Sequence, residues 1–245
     1  MNYSREDACA AWLAYGRLPC EGLIRLWERF GCAEAIYEQF SEEPRFILEF
    51  GPRSCMSLLL EHGTQEAMHE MLLTMQKHNI GVLTVNSPLY PELLLEISDP
   101  PVILFYQGNV SCLIHRSITM VGSRSASPQG LAAAREVAGD LARKEIIVVS
   151  GFAQGVDRAS HEGCLDAGGQ TIAVMACGLD ITYPSDSAPL RERMLKSGSL
   201  LISEYPPGVN VQRYHFAVRN RILSGMSAAT IMMECQPKSG SMLTV

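Results

Sequence analysis

Four short segments of this chain join glycine or serine to polar or charged side chains, and each follows an apolar run typical of a β-strand. They are Gly122-Ser123-Arg124, Ser150-Gly151-Phe152-Ala153-Gln154-Gly155, Ala176-Cys177-Gly178-Leu179-Asp180 and Lys238-Ser239-Gly240-Ser241. Glycine lets the backbone approach a ligand closely, serine adds hydroxyl donors, and arginine or lysine adds positive charge. Backbone N–H groups at the start of a following helix favour an anion. Together these features indicate a phosphate-binding site.

The sequence around these segments predicts the elements that position them. Apolar runs typical of strands lie at 81–85, 102–106, 118–121, 146–149, 171–175, 199–202 and 229–234. Helices are predicted at 128–144, 157–167, 187–197 and, as a short stretch, at 222–227. This alternation predicts an α/β fold, a Rossmann-like parallel sheet with helices on both faces. Since the carboxyl ends of parallel strands share one edge, the four loops are expected to meet there.

Residues 1–65 have a different pattern. Apolar residues recur at helical spacing over 5–40, with interruptions at Pro19, Gly22 and Gly31, which predicts three helices. This order resembles small helix-hairpin-helix or SAM-like modules, and a plain helical packing domain fits it equally. We predict two domains, a small all-helical one over 1–65 and a Rossmann-like one over 66–245.

The bulk composition, with 47% hydrophobic and 19% charged residues, is that of a globular protein. No apolar run approaches the roughly 20 residues of a membrane helix, and no signal-peptide pattern opens the chain, so a cytoplasmic protein is predicted. The eight cysteines form no Cys-x-x-Cys pair. Free thiols are therefore predicted, without a disulfide, a metal or a cofactor.

The net charge of −6 is unevenly distributed along the chain. Residues 1–80 hold seven Lys/Arg against twelve Asp/Glu, whereas residues 205–245 hold four Lys/Arg against Glu234 alone. A local basic patch of this kind is what nucleic-acid binding requires. In Arg219-Asn220-Arg221 no acidic residue is close in sequence, so a phosphate-binding role is predicted. The two arginines would share a face on a strand but not on a helix.

A series of motifs over about residues 80–245 resembles the DNA-processing protein A family of bacteria (DprA, also called Smf), in that family's order and spacing. The motifs are Tyr90-Pro91-Glu92-Leu93-Leu94, Asp99-Pro100-Pro101, Val121-Gly122-Ser123-Arg124, residues 150–157 with Ser160-His161, Thr171-Ile172-Ala173-Val174, Gly178-Leu179-Asp180 with Tyr183-Pro184, residues 203–208, residues 216–222 and residues 238–241. Each motif is short, and their combination is specific.

The resemblance implies a non-catalytic protein that binds and protects single-stranded DNA during natural transformation and helps to load the RecA recombinase onto it. It also implies an extended Rossmann-like domain and a homodimer. The positions that match the family's DNA pocket are Gly122, Ser123, Arg124, Gly151, Gly155, Arg219, Asn220, Arg221, Lys238, Ser239 and Gly240.

The chain also departs from the family pattern. Gln154 stands where a basic residue is common, and Ala217-Val218 replaces a proline–basic pair. After Ser241 the chain reads Met242-Leu243-Thr244-Val245, where the family continues with Thr-Ala, a helix and a further strand. The second domain therefore looks truncated, and a modest affinity for DNA is expected.

Two alternatives use the same loops. One is a nucleoside monophosphate phosphoribohydrolase of the same superfamily, and the other is a nucleotide-binding module without turnover. The enzyme is disfavoured because residues 239–241 replace its glycine-rich loop, no glutamate follows, and Arg219 stays protonated at neutral pH. His161 is predicted to be structural, and Gly151 and Gly155 also suit tight packing.

Overall fold

The computed structural model describes residues 2–235, which begin with a group of helices. The helices are α1 (Arg5–Tyr15), α2 (Cys20–Phe30), α3 (Ala33–Glu42), α4 (Arg53–His62) and α5 (Gln65–His78). Helix α1 starts at Ser4, whose hydroxyl accepts a hydrogen bond from the Asp7 N–H at 3.1 Å. Helix α2 ends at Gly31 in the left-handed conformation. The three helices predicted over 5–40 are confirmed.

A seven-stranded sheet and its helices follow. The elements are β1 (Ile80–Thr84), α6 (Glu92–Leu95), β2 (Ile103–Gly108), β3 (Ser117–Gly122), α7 (Pro128–Arg143), β4 (Ile147–Ser150), α8 (Val156–Asp166), β5 (Thr171–Met175), α9 (Ala188–Lys196), β6 (Leu200–Ser203), α10 (His215–Gly225) and β7 (Thr230–Met233). The strand order across the sheet is β1-β2-β6-β5-β4-β3-β7.

The predicted α/β fold with a Rossmann-like sheet is confirmed, with one difference in strand direction. Strands β6, β5, β4, β3 and β7 are parallel, but β2 is antiparallel to both β1 and β6. The connection from β1 to β2 contains only the four-residue helix α6. Without a long crossover helix, the chain returns beside β1 in the opposite direction.

Helices cover both faces of the sheet, as predicted. Val148 of β4 packs with α7 and α8 on one face. Val149 packs on the other face, in a cluster that includes Leu94 of α6 and Leu223 of α10. The alternation of side chains along each strand produces these two apolar layers.

The N-terminal helices share a core with the sheet. One apolar cluster runs from Trp12 and Ile36 in the helices to Phe105 and Leu201 in the strands. The Trp12 indole N–H donates to the Leu59 carbonyl at 2.9 Å, so the largest buried side chain of the helical part has a polar partner. The division into domains at residues 65 and 66 stays a prediction.

The prediction of a short helix at 222–227 is wrong in its bounds, because α10 already begins at His215. Ile222 and Leu223 are buried against the sheet, and this tertiary contact stabilises a helix whose first turn contains aromatic and β-branched residues of low helical propensity. The segment 219–221 is consequently helical. Within residues 2–235 no helix is both long and apolar enough to cross a bilayer.

Candidate functional site

A cavity of about 120 Å³ lies at the carboxyl ends of β4 and β5. The loops that follow β3, β4 and β5 meet around it, as the sequence predicts. Its lining residues are Arg124, Gly151, Phe152, Ala153, Gln154, Met175, Ala176, Cys177, Tyr183, Pro184, Val211 and Phe216. We call this cavity the strand-end pocket.

Arg124 and Phe216 form the outer wall of the strand-end pocket. The guanidinium carbon of Arg124 lies 4.8 Å from the centroid of the Phe216 ring, a cation–π geometry. Tyr183 lies next to them, with its ring centroid 5.9 Å from that of Phe216, and is 44% exposed. An exposed arginine beside accessible aromatic rings offers charge to a phosphate and a stacking surface to a base.

The two glycines of the loop after β4 are required by close packing within the protein. A Cβ added to Gly151 would lie 2.5 Å from the Arg219 guanidinium. Gly155 has φ +78°, and a Cβ there would lie 2.2 Å from the Ser123 carbonyl oxygen. The packing alternative therefore holds for both glycines. Ligand contact by either glycine stays a prediction.

Arg219 lies beneath the strand-end pocket and not in it, because its side chain is buried at 4% exposure. Its guanidinium donates to the carbonyl of Gly151 at 2.7 Å and to that of Val174, while its Nε donates to Asn220 Oδ1 at 3.3 Å. It thereby ties the ends of β4 and β5 together. Arg219 and the buried Asn220 therefore lie below the pocket and stabilise its floor.

Asp157 provides a buried negative charge near Arg219. Burial raises the pKa of Asp157, whereas the Arg219 charge and the Ala153 N–H, which donates to the carboxylate at 3.3 Å, act in the opposite direction. Burial likewise lowers the pKa of Arg219 to about 10, opposed by Asp157. Both groups are thus buried, and each charge favours the charged form of the other.

Arg221 points away from the strand-end pocket. Its guanidinium binds Glu204 with two hydrogen bonds, of 2.9 and 2.5 Å, and pairs with Asp99 at 2.9 Å. Burial alone would lower the pKa of Arg221, but Glu204 raises it. No acidic residue is close to Arg221 in sequence, but distant loops bring two carboxylates to it in the structure. Its predicted DNA contact is untested, and two carboxylates compete for the guanidinium.

Gly122 and Ser123 support the neighbouring loops. A Cβ on Gly122 would lie 1.9 Å from the Met233 carbonyl oxygen, and the Ser123 carbonyl accepts a hydrogen bond from the Val156 N–H at 3.2 Å. Of the predicted site residues, Arg124 and Gly151 line the pocket and Gly122, Ser123, Gly155, Arg219 and Asn220 lie around it. The predicted residues Lys238, Ser239 and Gly240 lie outside the described residues.

The aromatic part of the pocket wall, Tyr183 and Phe216, is not among the predicted site residues. Tyr183 and Phe216 belong to two of the family-like motifs, but no role was inferred for them. The signal available in the sequence was the aromatic cluster Tyr214-His215-Phe216 beside Arg213. Aromatic residues interleaved with basic ones are typical of single-strand binding surfaces.

His161 is fully buried next to the loop after β4, which agrees with its predicted structural role. Its Nδ1 lies 2.8 Å from the Thr171 hydroxyl, which itself donates to the Val148 carbonyl, so Nδ1 carries the proton. Its Nε2 has no hydrogen-bond partner within residues 2–235. Burial and, secondarily, the Arg219 charge lower the pKa of His161 to about 3.

His161 makes the stability of the protein depend on pH. Since its pKa falls from 6.5 to about 3 on folding, only the unfolded chain binds its proton in that window. The stabilisation is complete above pH 6.5 and is lost as the pH falls towards 3. We expect the contribution of His161 to the free energy of unfolding to drop by about 2 kcal/mol when the pH is lowered from 7.5 to 5.

Urea denaturation at both pH values measures this drop. His161→Asn, whose amide can keep the bond to Thr171, is expected to remove about 2 kcal/mol of the pH dependence. His115→Gln changes an exposed histidine and serves as the control. Equal pH dependence in His161→Asn and the parent would contradict the assignment.

Five cysteines, Cys9, Cys55, Cys112, Cys164 and Cys177, are buried thiols without a disulfide. Burial raises the pKa of Cys177, on the wall of the strand-end pocket, to about 11. Such a thiol is not a nucleophile at neutral pH. Within residues 2–235, no cluster of three or more His, Cys, Asp or Glu side chains could hold a metal ion.

The fold and the site define a class of protein with a Rossmann-like sheet. At the carboxyl edge of that sheet, a wall of arginine and aromatic side chains stands beside a glycine loop. Such a wall suits a ligand that carries both a phosphate and a base. Residues 81–245 match the model of the family described as DNA recombination-mediator protein A. The chain belongs to this family, and the resemblance to DprA and Smf proteins is confirmed.

Several known proteins are similar to this chain. Protein Smf of Synechocystis is 33% identical over 245 residues, which cover 96% of this chain and 60% of the relative. DNA processing protein DprA of Streptococcus pneumoniae is 41% identical over 155 residues, which cover 63% of this chain and 54% of the relative. The chain thus spans only 54–60% of the length of these curated relatives.

Solved structures show the same architecture. The crystal structure of DNA processing protein A from Streptococcus pneumoniae has a TM-score of 0.78 at 30% identity, over 100% of this chain and 82% of that one. DNA processing protein A from Helicobacter pylori, reported with its single-stranded DNA binding mode, has a TM-score of 0.61 at 28% identity, over 66% of this chain and 74% of that one.

Proposed function

We propose that this protein binds single-stranded DNA with little sequence preference at the strand-end pocket. The observation that carries the proposal is the Arg124 guanidinium held 4.8 Å from the centroid of the Phe216 ring at the pocket mouth. Any of the four bases stacks on an aromatic face, and an arginine binds the phosphate next to that base. The relative from Helicobacter pylori, described for its single-stranded DNA binding mode, supports the same ligand class.

Binding without catalysis is part of the proposal. Among residues 2–235, the pocket lining contains no carboxylate and no imidazole, and its thiol, Cys177, has a raised pKa. The buried groups Asp157 and His161, behind the loop after β4, and His215, bonded to the Ala176 carbonyl, are engaged inside the protein. These features favour a binding protein over the phosphoribohydrolase alternative, which needs a general acid or base in contact with its substrate.

The cellular role we propose is protection of incoming single strands and loading of the RecA recombinase onto them during natural transformation, by a homodimer in the cytoplasm. This role rests on membership of the recombination-mediator family. The predicted DNA contacts of Arg221 and of residues 238–240 belong to the proposal as well.

Fluorescence anisotropy of labelled oligo-dT, at several lengths and two salt concentrations with AMP as competitor, tests DNA binding. We expect affinity that rises with length, falls with salt and resists AMP, because a strand releases counterions that a mononucleotide does not. Binding of AMP alone, or release of free adenine from it, would move the protein to the nucleotide class and overturn the proposal.

A further inference from the structure

A second cavity, of about 370 Å³, opens on the other side of the first turn of α10. We call it the interdomain cleft, because it lies between the N-terminal helices, which are predicted to form a separate domain, and the carboxyl edge of the sheet. Its lining residues are Leu13, Ala14, Arg17, Leu18, Pro19, Cys20, Leu23, Ile103, Glu204, Tyr205, Pro206, Tyr214, His215, Val218 and Arg221. Its volume lies in the range of ligand sites, and its walls are mainly apolar.

The interdomain cleft and the strand-end pocket share a wall. His215, which lines the cleft, has its Nδ1 3.0 Å from the carbonyl oxygen of Ala176, which lines the pocket. On the cleft side the His215 ring stacks on Tyr205, with 4.0 Å between the centroids. Phe216 of α10 faces the pocket, whereas Val218 of α10 and Tyr214, just before the helix, face the cleft. A chain leaving the pocket over this turn therefore reaches the cleft directly.

The mouth of the cleft has the chemistry of a nucleotide site. Tyr214 is 58% exposed and Val218 is 40% exposed, so both side chains are accessible to a ligand at the mouth of the cleft. Arg17 is exposed and makes no ion pair with any residue in 2–235. The other charged lining groups, Arg221 and Glu204, are paired with each other. The lining thus carries one unpaired positive charge.

From this arrangement the geometry points to a second nucleotide subsite in the interdomain cleft, occupied by single-stranded DNA that continues from the strand-end pocket. A base enters the apolar cleft beside Tyr214, and Arg17 binds a neighbouring phosphate. The inference rests on the proposed DNA binding and extends it to the helical part. The helical part carries an acidic surplus, and Arg17 is a local positive charge within it.

Two variants in the full chain separate the cleft from the pocket. Val218→Glu places a carboxylate at the cleft mouth, and Arg17→Ala removes the unpaired charge. The controls are Ile114→Glu, at a residue that is 62% exposed, and Arg53→Ala, at an exposed arginine outside both cavities. Affinities are measured by anisotropy with dT oligomers of about 4 and about 12 nucleotides.

We expect both cleft variants to bind the short oligomer like the parent and the long one roughly ten-fold more weakly. Arg17→Ala should also lower the salt slope for the long oligomer by about 1. Parental affinity for both lengths in both cleft variants would overturn the subsite while leaving DNA binding in place. If the parent binds neither oligomer, the proposed function and the subsite fail together.

Discussion

Arg219→Ala is expected to lower the free energy of unfolding by about 3–5 kcal/mol. The variant removes the donor that joins Gly151 to Val174. It also removes the larger of the two positive charges, Arg219 and Arg124, that act on the buried Asp157 carboxylate. Urea denaturation at pH 7.5, followed by circular dichroism, measures the loss.

Two further variants separate charge burial from simple loss of packing. Arg219→Met combined with Asp157→Asn removes both charges and should recover part of the stability, because no unpaired charge stays buried. Arg135→Ala breaks the ion pair with Glu162 at a side chain that is 51% exposed, and should cost less than about 1 kcal/mol. A comparable loss in Arg135→Ala and Arg219→Ala would refute a special role for the buried arginine.

Phe216→Ala is expected to weaken single-strand binding by about 1–3 kcal/mol, whatever the base composition, because it removes the stacking surface at the pocket mouth. Arg124→Ala should lower the slope of log affinity against log salt by about 1, since one phosphate contact is lost. Anisotropy titrations with dT and mixed-sequence oligomers at several salt concentrations measure both effects.

The double variant tests whether the two residues act as one unit. Because the Arg124 guanidinium lies on the Phe216 ring, the loss in the double variant should be smaller than the sum of the single losses. Arg143→Ala removes an arginine that is 60% exposed and paired with Asp140, and should leave binding unchanged. An unchanged salt slope in Arg124→Ala would remove this residue from the DNA site.

The interdomain cleft bears on whether the helical part can contact DNA. The acidic surplus of the helical part argues against DNA contact when charge is counted along the sequence. In the structure, Arg17 stands at the mouth of a cleft whose remaining charged groups are paired. The local arrangement of charge, and not the total for a segment, decides whether a surface attracts a phosphate.

Local sequence patterns predict the α/β architecture and the edge of the sheet at which the candidate site lies. Apolar runs alternating with helical segments define a parallel sheet, and this periodicity is local information that the chain carries at every position. Glycine and serine after β3, β4 and β5 had to meet, because the carboxyl ends of parallel strands share an edge. The prediction of Arg124 and Gly151 in one pocket followed from that rule.

The different partners of the two arginines on α10 depend on tertiary contacts. Arg219 and Arg221 are equivalent in a pattern of residue types, yet the helix directs one beneath the loop after β4 and the other to Glu204 and Asp99. The antiparallel direction of β2 and the contact between Arg124 and Phe216 are likewise fixed by packing. These contacts join residues far apart in the chain, and no local pattern encodes which distant partner a side chain will meet.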